Sequence, residues 1–565
     1  MRSRLLVSLA LSILFSASLF SQAPKPSTEN LPARVDAIFQ KMDSTVSPGC
    51  ALSVVKDGKI IYERGYGMAD LDHNIAITPT TVFHVASMSK QFTAASILLL
   101  AQQGKLSLDD PVRKYIPELP DFGTPVTIRQ LIHHTSGLRD QWDLLGLSGW
   151  RYSLDLITND DVLYVISHQK ELNFPPGTKH LYSNTGYTLL GEVVKRVSGK
   201  SLHEFTTENI FRPLGMKNTH FRDDHAEIIK NIAYGYGPAG DTFRLSVTNF
   251  DTVGATSLMT TVEDLPLWDE NFYNPRIGGP DLIRQMLERG KLNNGEQLDY
   301  ASGLVIGKYR GLNTVDHGGA DAGYRSDMIR FPDQHFSSAC LCNLATADPS
   351  DLNRKVAEIY LKKEMTPAEP AHVADEKPVQ LTPQQLSAIA GTYLNQDDEV
   401  IRVFLKDNAL RVANANEDQS YELMPLAPNH FRLMVAPVDF TFDAPEGKNP
   451  ARITIKSPDG KPDVNSAVTP FTPSEADLKP YAGTYSSEDI DPLYTIAIEK
   501  GKLVLHRLKN DPDKLMPVTP DLFVASLGSI RFTRSAKGEI TGFFLTTGRI
   551  RNMRFTKGRP AIAAQ

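Results

Sequence analysis

Three cysteines and three tryptophans are all that the 565 residues contain. The cysteines, Cys50, Cys340 and Cys342, are odd in number, so no disulfide framework is expected to hold the fold. Each sits in an apolar, strand-like stretch; Cys340 and Cys342 would share one face of a strand and could not easily bridge each other. All three read as small buried hydrophobes. A charge excess is also missing: sixty Lys plus Arg stand against sixty-six Asp plus Glu, a formal charge of -6. No run of like charges would hold nucleic acid, and no nucleic-acid partner is expected. There is neither a glycine-rich phosphate loop nor a zinc signature, so no cofactor and no metal is implied. His133 and His134 are adjacent and on a helix would point about 100° apart, which suits a structural role and not a shared ion. The long apolar run, Leu5 to Phe20, is broken by Ser8, Ser12, Ser16 and Ser18 and falls short of the ~20 residues that a membrane span needs.

That run has a purpose all the same. It follows Met-Arg-Ser-Arg and precedes Ser21-Gln22-Ala23, a basic region, an apolar core and a small-residue cleavage site. Residues 1–23 read as a signal peptide that is removed, which places the mature chain in the periplasm or outside the cell, with no stable membrane span. No cysteine lies near the end of the apolar core, which argues against a lipoprotein. Pro24 leaves the cleaved bond open.

With 41% apolar and 22% charged residues, the chain is ordinary globular material, long enough for two or three domains. Ala51 to Val55, Lys56-Asp57-Gly58-Lys59 and Ile60 to Tyr66 predict two strands joined by an Asp-Gly hairpin. The pattern returns at Asp327 to Phe331, with a turn at Pro332-Asp333, and Phe336 to Leu344. Helices fill the interval, the clearest at Lys90 to Gln103, closed by Gly104. A last helix, about Ser350 to Lys363, would cover the sheet. Strands at both ends with helices between predict an α/β or α+β domain over 32–363, with an antiparallel sheet and a helical subdomain.

Residues 364–381 are linker in composition, rich in Pro, Ala, Glu and Lys. Beyond them the chain repeats. LSAIAGTY at Leu386 to Tyr393 returns as LKPYAGTY at Leu478 to Tyr485. LMPLAPNHF at Leu423 to Phe431 returns at the same offset as LMPVTPDLF at Leu515 to Phe523. Alternating segments such as Ile401 to Val412 and Tyr494 to Leu505 make each copy, 382–472 and 473–560, a small all-β barrel or meander.

Chemistry is carried by Ser87-Met88-Ser89-Lys90. Ser and Lys three apart at the opening of a helix share one face. A serine hydroxyl needs a base in contact, and lysine serves when burial or a neighbouring cation lowers its pKa. The helix N-terminus leaves backbone N–H groups to hold an oxyanion. Alone the pattern is weak, since average composition yields it on the order of twice in a chain this long. Phe174-Pro175-Pro176-Gly177 then precedes Tyr182-Ser183-Asn184, a short loop before a helix at Thr188 to Val197. Tyr182 could shuttle the proton of Ser87, and Asn184 could donate to a substrate carbonyl. His317-Gly318-Gly319 sits on a strand where two glycines allow close approach.

Ser-x-x-Lys, Tyr-x-Asn and His-Gly-Gly in this order, with LIHHTSGL at Leu131 to Leu138, PPGTKHLYSNTGYTLLGEVV from Pro175 to Val194 and GYRSDMIRFP from Gly323 to Pro332, resemble the class C β-lactamase and DD-peptidase superfamily of penicillin-recognising serine hydrolases. The resemblance implies a β-lactamase/transpeptidase-like domain. It makes Ser87 the nucleophile, lets Lys90 and Tyr182 share the general-base work and has Asn184 orient substrate. His317, with Gly318 and Gly319, would line the pocket on the edge strand, and the N–H groups of Ser87 and Ala320 would form the oxyanion hole. Many β-lactamases of the superfamily carry lysine where His317 stands and a hydroxyl residue where Gly318 stands. A histidine is only partly charged near neutral pH, which puts recognition of β-lactam carboxylates in doubt. His-x-Gly variants resemble esterases and D-stereospecific aminopeptidases. The whole arrangement, with two lipocalin-like barrels behind the catalytic domain, resembles the bacterial D-aminopeptidases. There a barrel loop reaches the cleft; here no loop is matched, and stability, dimerisation or surface attachment are equal readings for the barrels. The expected activity is hydrolysis through an acyl-enzyme of small amides, peptides or esters, D-amino-acid peptides first, with the substrate as principal partner and room for a homodimer. A carboxylesterase or weak β-lactamase of the same fold and a non-catalytic penicillin-binding receptor are the alternatives.

Overall fold

The computed structural model describes residues 30–367, 378–415, 419–443, 452–457, 460 and 462–558. The expected signal peptide at 1–23 and most of the linker lie outside the described residues. Among the described residues no helix is long and apolar enough to cross a membrane.

The chain opens on α1 (Leu31–Phe39) and the hairpin β1 (Cys50–Lys56) and β2 (Lys59–Tyr66). Asp57 and Gly58 turn the hairpin with φ of 51° and 70°, the left-handed pair that a two-residue turn requires. β1 and β2 join β3 (Val305–Tyr309), β4 (Leu312–Asp321), β5 (Tyr324–Phe331) and β6 (Phe336–Cys342) in one six-stranded sheet, order β3-β4-β5-β6-β1-β2. Its pairs are antiparallel throughout. The pleat sends Cys50, Leu52 and Val54 to one face, where α1 and α5 (Pro349–Tyr360) cover them. Ala51 points the other way, toward the helical subdomain and its core around Phe92, Leu98, Tyr187 and Trp268. Period-2 alternation thus gives the sheet two buried faces.

The cysteine expectation is corrected here. Cys50 and Cys342 stand directly opposite each other on neighbouring strands, with Cα atoms 4.0 Å apart, and form a disulfide. An odd count excludes a fully paired set, not one pair, and the pairing became visible only when β6 was placed beside β1. Cys340 alone is free and buried.

The repeats are barrels, as expected. The first, from Gly391 to Val468, is a closed eight-stranded barrel with its own core around Phe431, Phe440 and Ile453. The second, from Gly483 to Lys557, is a nine-stranded sheet coiled into a nearly closed barrel. They differ in what they touch. The first meets the second through a small apolar patch of Val400, Ala415, Val518 and Leu522, and through Arg531 donating to Asp398 at 2.6 Å. The second shares one continuous apolar core with the catalytic domain. Arg139 and Asp489 pair across that boundary at 3.1 Å with both side chains almost wholly out of solvent. Tyr494 donates to the Leu147 carbonyl at 2.9 Å.

Candidate active site

The nucleophile's position begins with a backbone feature. Ala86, the residue before Ser87, has φ of 48°, a left-handed conformation that a residue with a Cβ adopts at a cost. Ala86–Met88 form one tight turn that runs into α2 (Ser89–Gln102). Its end is pinned by the Leu258 N–H, which donates to Ser89 Oγ at 3.0 Å. Ser87 therefore sits half-buried at the mouth of the helix, one turn before Lys90.

Lys90 is fully buried. Its Nζ donates to Ser87 Oγ at 3.0 Å, to Asn184 Oδ1 at 2.9 Å and to the Ala255 carbonyl at 2.7 Å. The ring of Tyr182 lies 4.9 Å from the same nitrogen. Burial pulls the lysine down to about 7; Asp321 and Asp140 oppose that pull and Arg549 adds to it. A lysine ordinarily titrates near 10.4, so this one is partly neutral at physiological pH.

Tyr182, half-buried, packs against the ring of His134, with centroids 4.1 Å apart. Burial raises its hydroxyl, and hydrogen bonding to Ser87 works against that rise. His134 is held neutral by burial and by Lys90, and its Nδ1 accepts the Ser183 N–H at 3.1 Å. The structural reading of this histidine holds: it props Tyr182 from behind.

Helix α4 spans Asn184–Ser198. It starts at Asn184, four residues before the expected Thr188, because Asp140 takes the place of a local cap. Asp140 Oδ2 accepts the Asn184 N–H at 2.7 Å and the Asn184 Nδ2 at 2.9 Å. Asn184 Oδ1 thus holds Lys90 while Nδ2 spends one of its two N–H groups on Asp140.

His317, Gly318, Gly319 and Ala320 lie on β4. That strand is second in the sheet, not at its edge as expected. The edge strand β3 pairs with β4 only as far as Asp316, so from His317 onward β4 has a free side. Tyr300 O–H meets His317 Nε2 at 3.0 Å, and Nδ1 meets the Gly318 carbonyl at 2.6 Å. A carbonyl only accepts, so Nδ1 carries the proton and Nε2 accepts: a neutral imidazole, which burial and Lys90 hold at about 4. The two glycines differ. A Cβ on Gly319 would fall 2.3 Å from the Val85 carbonyl oxygen and 3.0 Å from Ser87 N, whereas one on Gly318 meets nothing closer than 3.4 Å. Gly319 is what lets the strand pass against the nucleophile's backbone.

These residues open on a cleft of about 390 Å³ lined by Ser87, Tyr182, His317, Gly318, Gly319 and Ala320 and also by the charged Arg325, Asp348 and Arg549. Three participants carry no sequence signal of their own. Asp321, which supports the charge of Lys90, is held by His84 at 2.9 Å and by Tyr152 and Thr256. Asp140 holds Asn184, as above. Arg549 comes from the second barrel, in the turn between the strands Ile540–Thr547 and Ile550–Lys557. Among the described residues, Asp224, His225 and Asp251 also bring ligand-type atoms within 4.8 Å of one another, but none of them lines this cleft.

The Beta-lactamase family model matches residues 35–361. The chain is 28% identical over 456 residues to Penicillin-binding protein 4* of Bacillus subtilis, covering 76% of this chain and 98% of that protein. It is 28% identical over 373 residues to a D-aminopeptidase of Gluconobacter oxydans, covering 66% and 67%. Of Protein flp of Staphylococcus aureus, 31% identical over 335 residues, it spans 64% and gives 56% of its own length. Among solved structures, an octameric penicillin-binding protein homologue of Pyrococcus abyssi superposes with a TM-score of 0.55 at 23% identity, over 77% of this chain and 99% of that one.

Proposed function

The chain belongs to the Beta-lactamase family of serine hydrolases, and on that premise we propose that it hydrolyses small amides, peptides or esters through an acyl-enzyme on Ser87. One observation carries the reading: a wholly buried lysine, lowered to about 7, with its Nζ 3.0 Å from a serine hydroxyl. In the proposed cycle Lys90 and Tyr182 take the Ser87 proton as Oγ attacks the carbonyl carbon. The N–H groups of Ser87 and Ala320 hold the oxyanion, the leaving group departs with the proton, and water then releases the acyl group by the same steps. Because Tyr182 lies against both Ser87 and Lys90, the two bases act as one coupled system.

D-amino-acid peptides are the first substrates in this reading, since a D-aminopeptidase is among the relatives. Export to the periplasm or beyond belongs to the same proposal, and the Cys50–Cys342 disulfide supports it, because such bonds persist in oxidising compartments. The neutral His317 favours a second reading as a carboxylesterase over a β-lactamase. Comparing kcat/KM for D- and L-amino-acid amides, neutral esters and β-lactams tests the choice. A preference for D-amides supports the first reading, and a preference for neutral esters replaces it.

A further inference from the structure

Asp321 closes β4 directly after Ala320 and does not line the cleft. Its carboxylate is nonetheless buried, with both oxygens engaged. Oδ2 accepts from His84 Nε2 at 2.9 Å and from the Thr256 hydroxyl, and Oδ1 accepts from the Tyr152 hydroxyl. Burial pushes the carboxyl up, but the hydrogen bond and charge of His84, with the Thr256 and Tyr152 hydroxyls, outweigh it and hold the group below its usual range. A carboxylate accepts from all three donors at once. An amide in its place would turn an NH2 toward one of them and leave a buried polar atom unpaired.

The donors belong to the segments that carry the chemistry. His84 ends the short strand Phe83–His84 and stands three residues before Ser87, across Ala86 with its φ of 48°. Thr256 directly follows Ala255, whose carbonyl accepts from Lys90 Nζ at 2.7 Å. Asp321 itself directly follows Ala320, the second oxyanion donor of the proposed cycle. His84 lies 237 residues from Asp321 and Thr256 lies 65 from it, so no local turn sets these segments against one another. A single oxygen, Oδ2, meets both, and His84 and Thr256 also meet each other at 3.2 Å. Tyr152 arrives from the helical subdomain, its ring packed on Trp142 and Phe250 with centroids 5.2 and 5.1 Å away.

We infer that Asp321 is a positioning residue: without touching substrate, its carboxylate clamps together the segments that present Ser87, the Ala255 carbonyl and the Ala320 N–H. This rests on the proposed acyl transfer at Ser87 and adds to it the group that assembles the site. Asp321 also acts on the base. Burial lowers Lys90, and Asp321 is foremost of the two carboxylates that oppose that fall, ahead of Asp140. His84, Tyr152 and Thr256 face the carboxylate in contact, Lys90 faces it at longer range, and Arg325 and Asp140 act on Tyr152. Neutralising Asp321 therefore lets Lys90 lose its proton at lower pH and leaves it a weaker base.

The test labels Ser87 in full-length Asp321→Asn with a fluorophosphonate, over a range of probe concentrations and of pH, and reads backbone hydrogen–deuterium exchange in the same protein. The maximal labelling rate should fall about 10- to 100-fold, since a displacement of ~1 Å in a reacting geometry costs about 10²-fold. The half-saturating probe concentration should stay within about threefold, because the carboxylate lies outside the cleft. The acid limb should move to lower pH, and residues 84–88, 252–257 and 319–322 should exchange faster together. Thr256→Val repeats the test with the carboxylate in place and should slow labelling about three- to tenfold, the worth of one hydrogen bond. Thr256→Ser, which keeps the hydroxyl, should restore it. An unchanged rate, a slower rate with the acid limb unmoved, faster exchange confined to one of the three stretches, or no rescue by serine overturns the inference. Exchange needs no turnover. Protein that never labels but loosens in all three stretches loses the acyl-enzyme alone, and protein that labels while its exchange stays unmoved loses this inference alone.

Discussion

Lys90 Nζ and Ser87 Oγ are 3.0 Å apart, and the other two acceptors around that nitrogen, Asn184 Oδ1 and the Ala255 carbonyl, cannot donate. A charged lysine satisfies all three with its three hydrogens. A neutral one keeps two hydrogens for Asn184 and Ala255 and turns its lone pair to the serine hydroxyl. The surroundings therefore aim the neutral amine at Ser87.

This fixes the sign of the pH dependence. The base works when Lys90 has lost its proton, so kcat/KM should rise with pH through about 7 and level off above it. Asp140→Asn removes a carboxylate that favours the charged lysine, so the acid limb should move to lower pH. A flat profile from pH 5 to 9, or a limb moved upward in the variant, contradicts the assignment. Stability follows the same proton. The folded pKa lies below the unfolded one, so the unfolded chain holds more protons between them, and this group's penalty is relieved as pH climbs from about 7 toward the unfolded value.

The two glycines of the third motif should respond differently to a methyl group. Gly319→Ala drives a Cβ into the Val85 carbonyl and toward Ser87 N and should cost about 1–3 kcal/mol of stability by overpacking. Gly318→Ala meets only ordinary contacts and should stay within about 1 kcal/mol in the same denaturant titration. Equal losses would show that β4 does not press on the nucleophile's turn.

The disulfide predicts a thiol count. Alkylation of the denatured, unreduced protein should modify Cys340 alone, and prior reduction should free all three cysteines. Cys50→Ala should lower stability by about 2–5 kcal/mol. Three reactive thiols without reductant would refute the pairing.

Much of this was legible before the structure. The hairpin at Asp57-Gly58, the helix after Ser87, the closing helix near Ser350 and both barrels follow from local periodicity and turn chemistry, which act over a few residues. So do the three motifs, because a turn or one helical face holds each together. What escaped depends on distant pairing. Cys50 meets Cys342 across a strand register set by the whole sheet. The contact of Asn184 with Asp140 carries no sequence signal, because Asp140 sits on another segment. Arg549 stands in an ordinary hairpin turn, and only the docking of the second barrel onto Asp143 and Asn173 makes it part of the cleft. The shared core also means that the barrel is no detachable appendage.

The most direct test is intact-mass spectrometry of the purified protein after exposure to a fluorophosphonate, beside Ser87→Ala and Lys90→Met. The account predicts one adduct on the unaltered chain, none on Ser87→Ala, and labelling slowed at least tenfold in Lys90→Met, since a positioned base is worth about 10²–10⁴-fold. No adduct on folded protein, or an adduct that persists in Ser87→Ala, would contradict it.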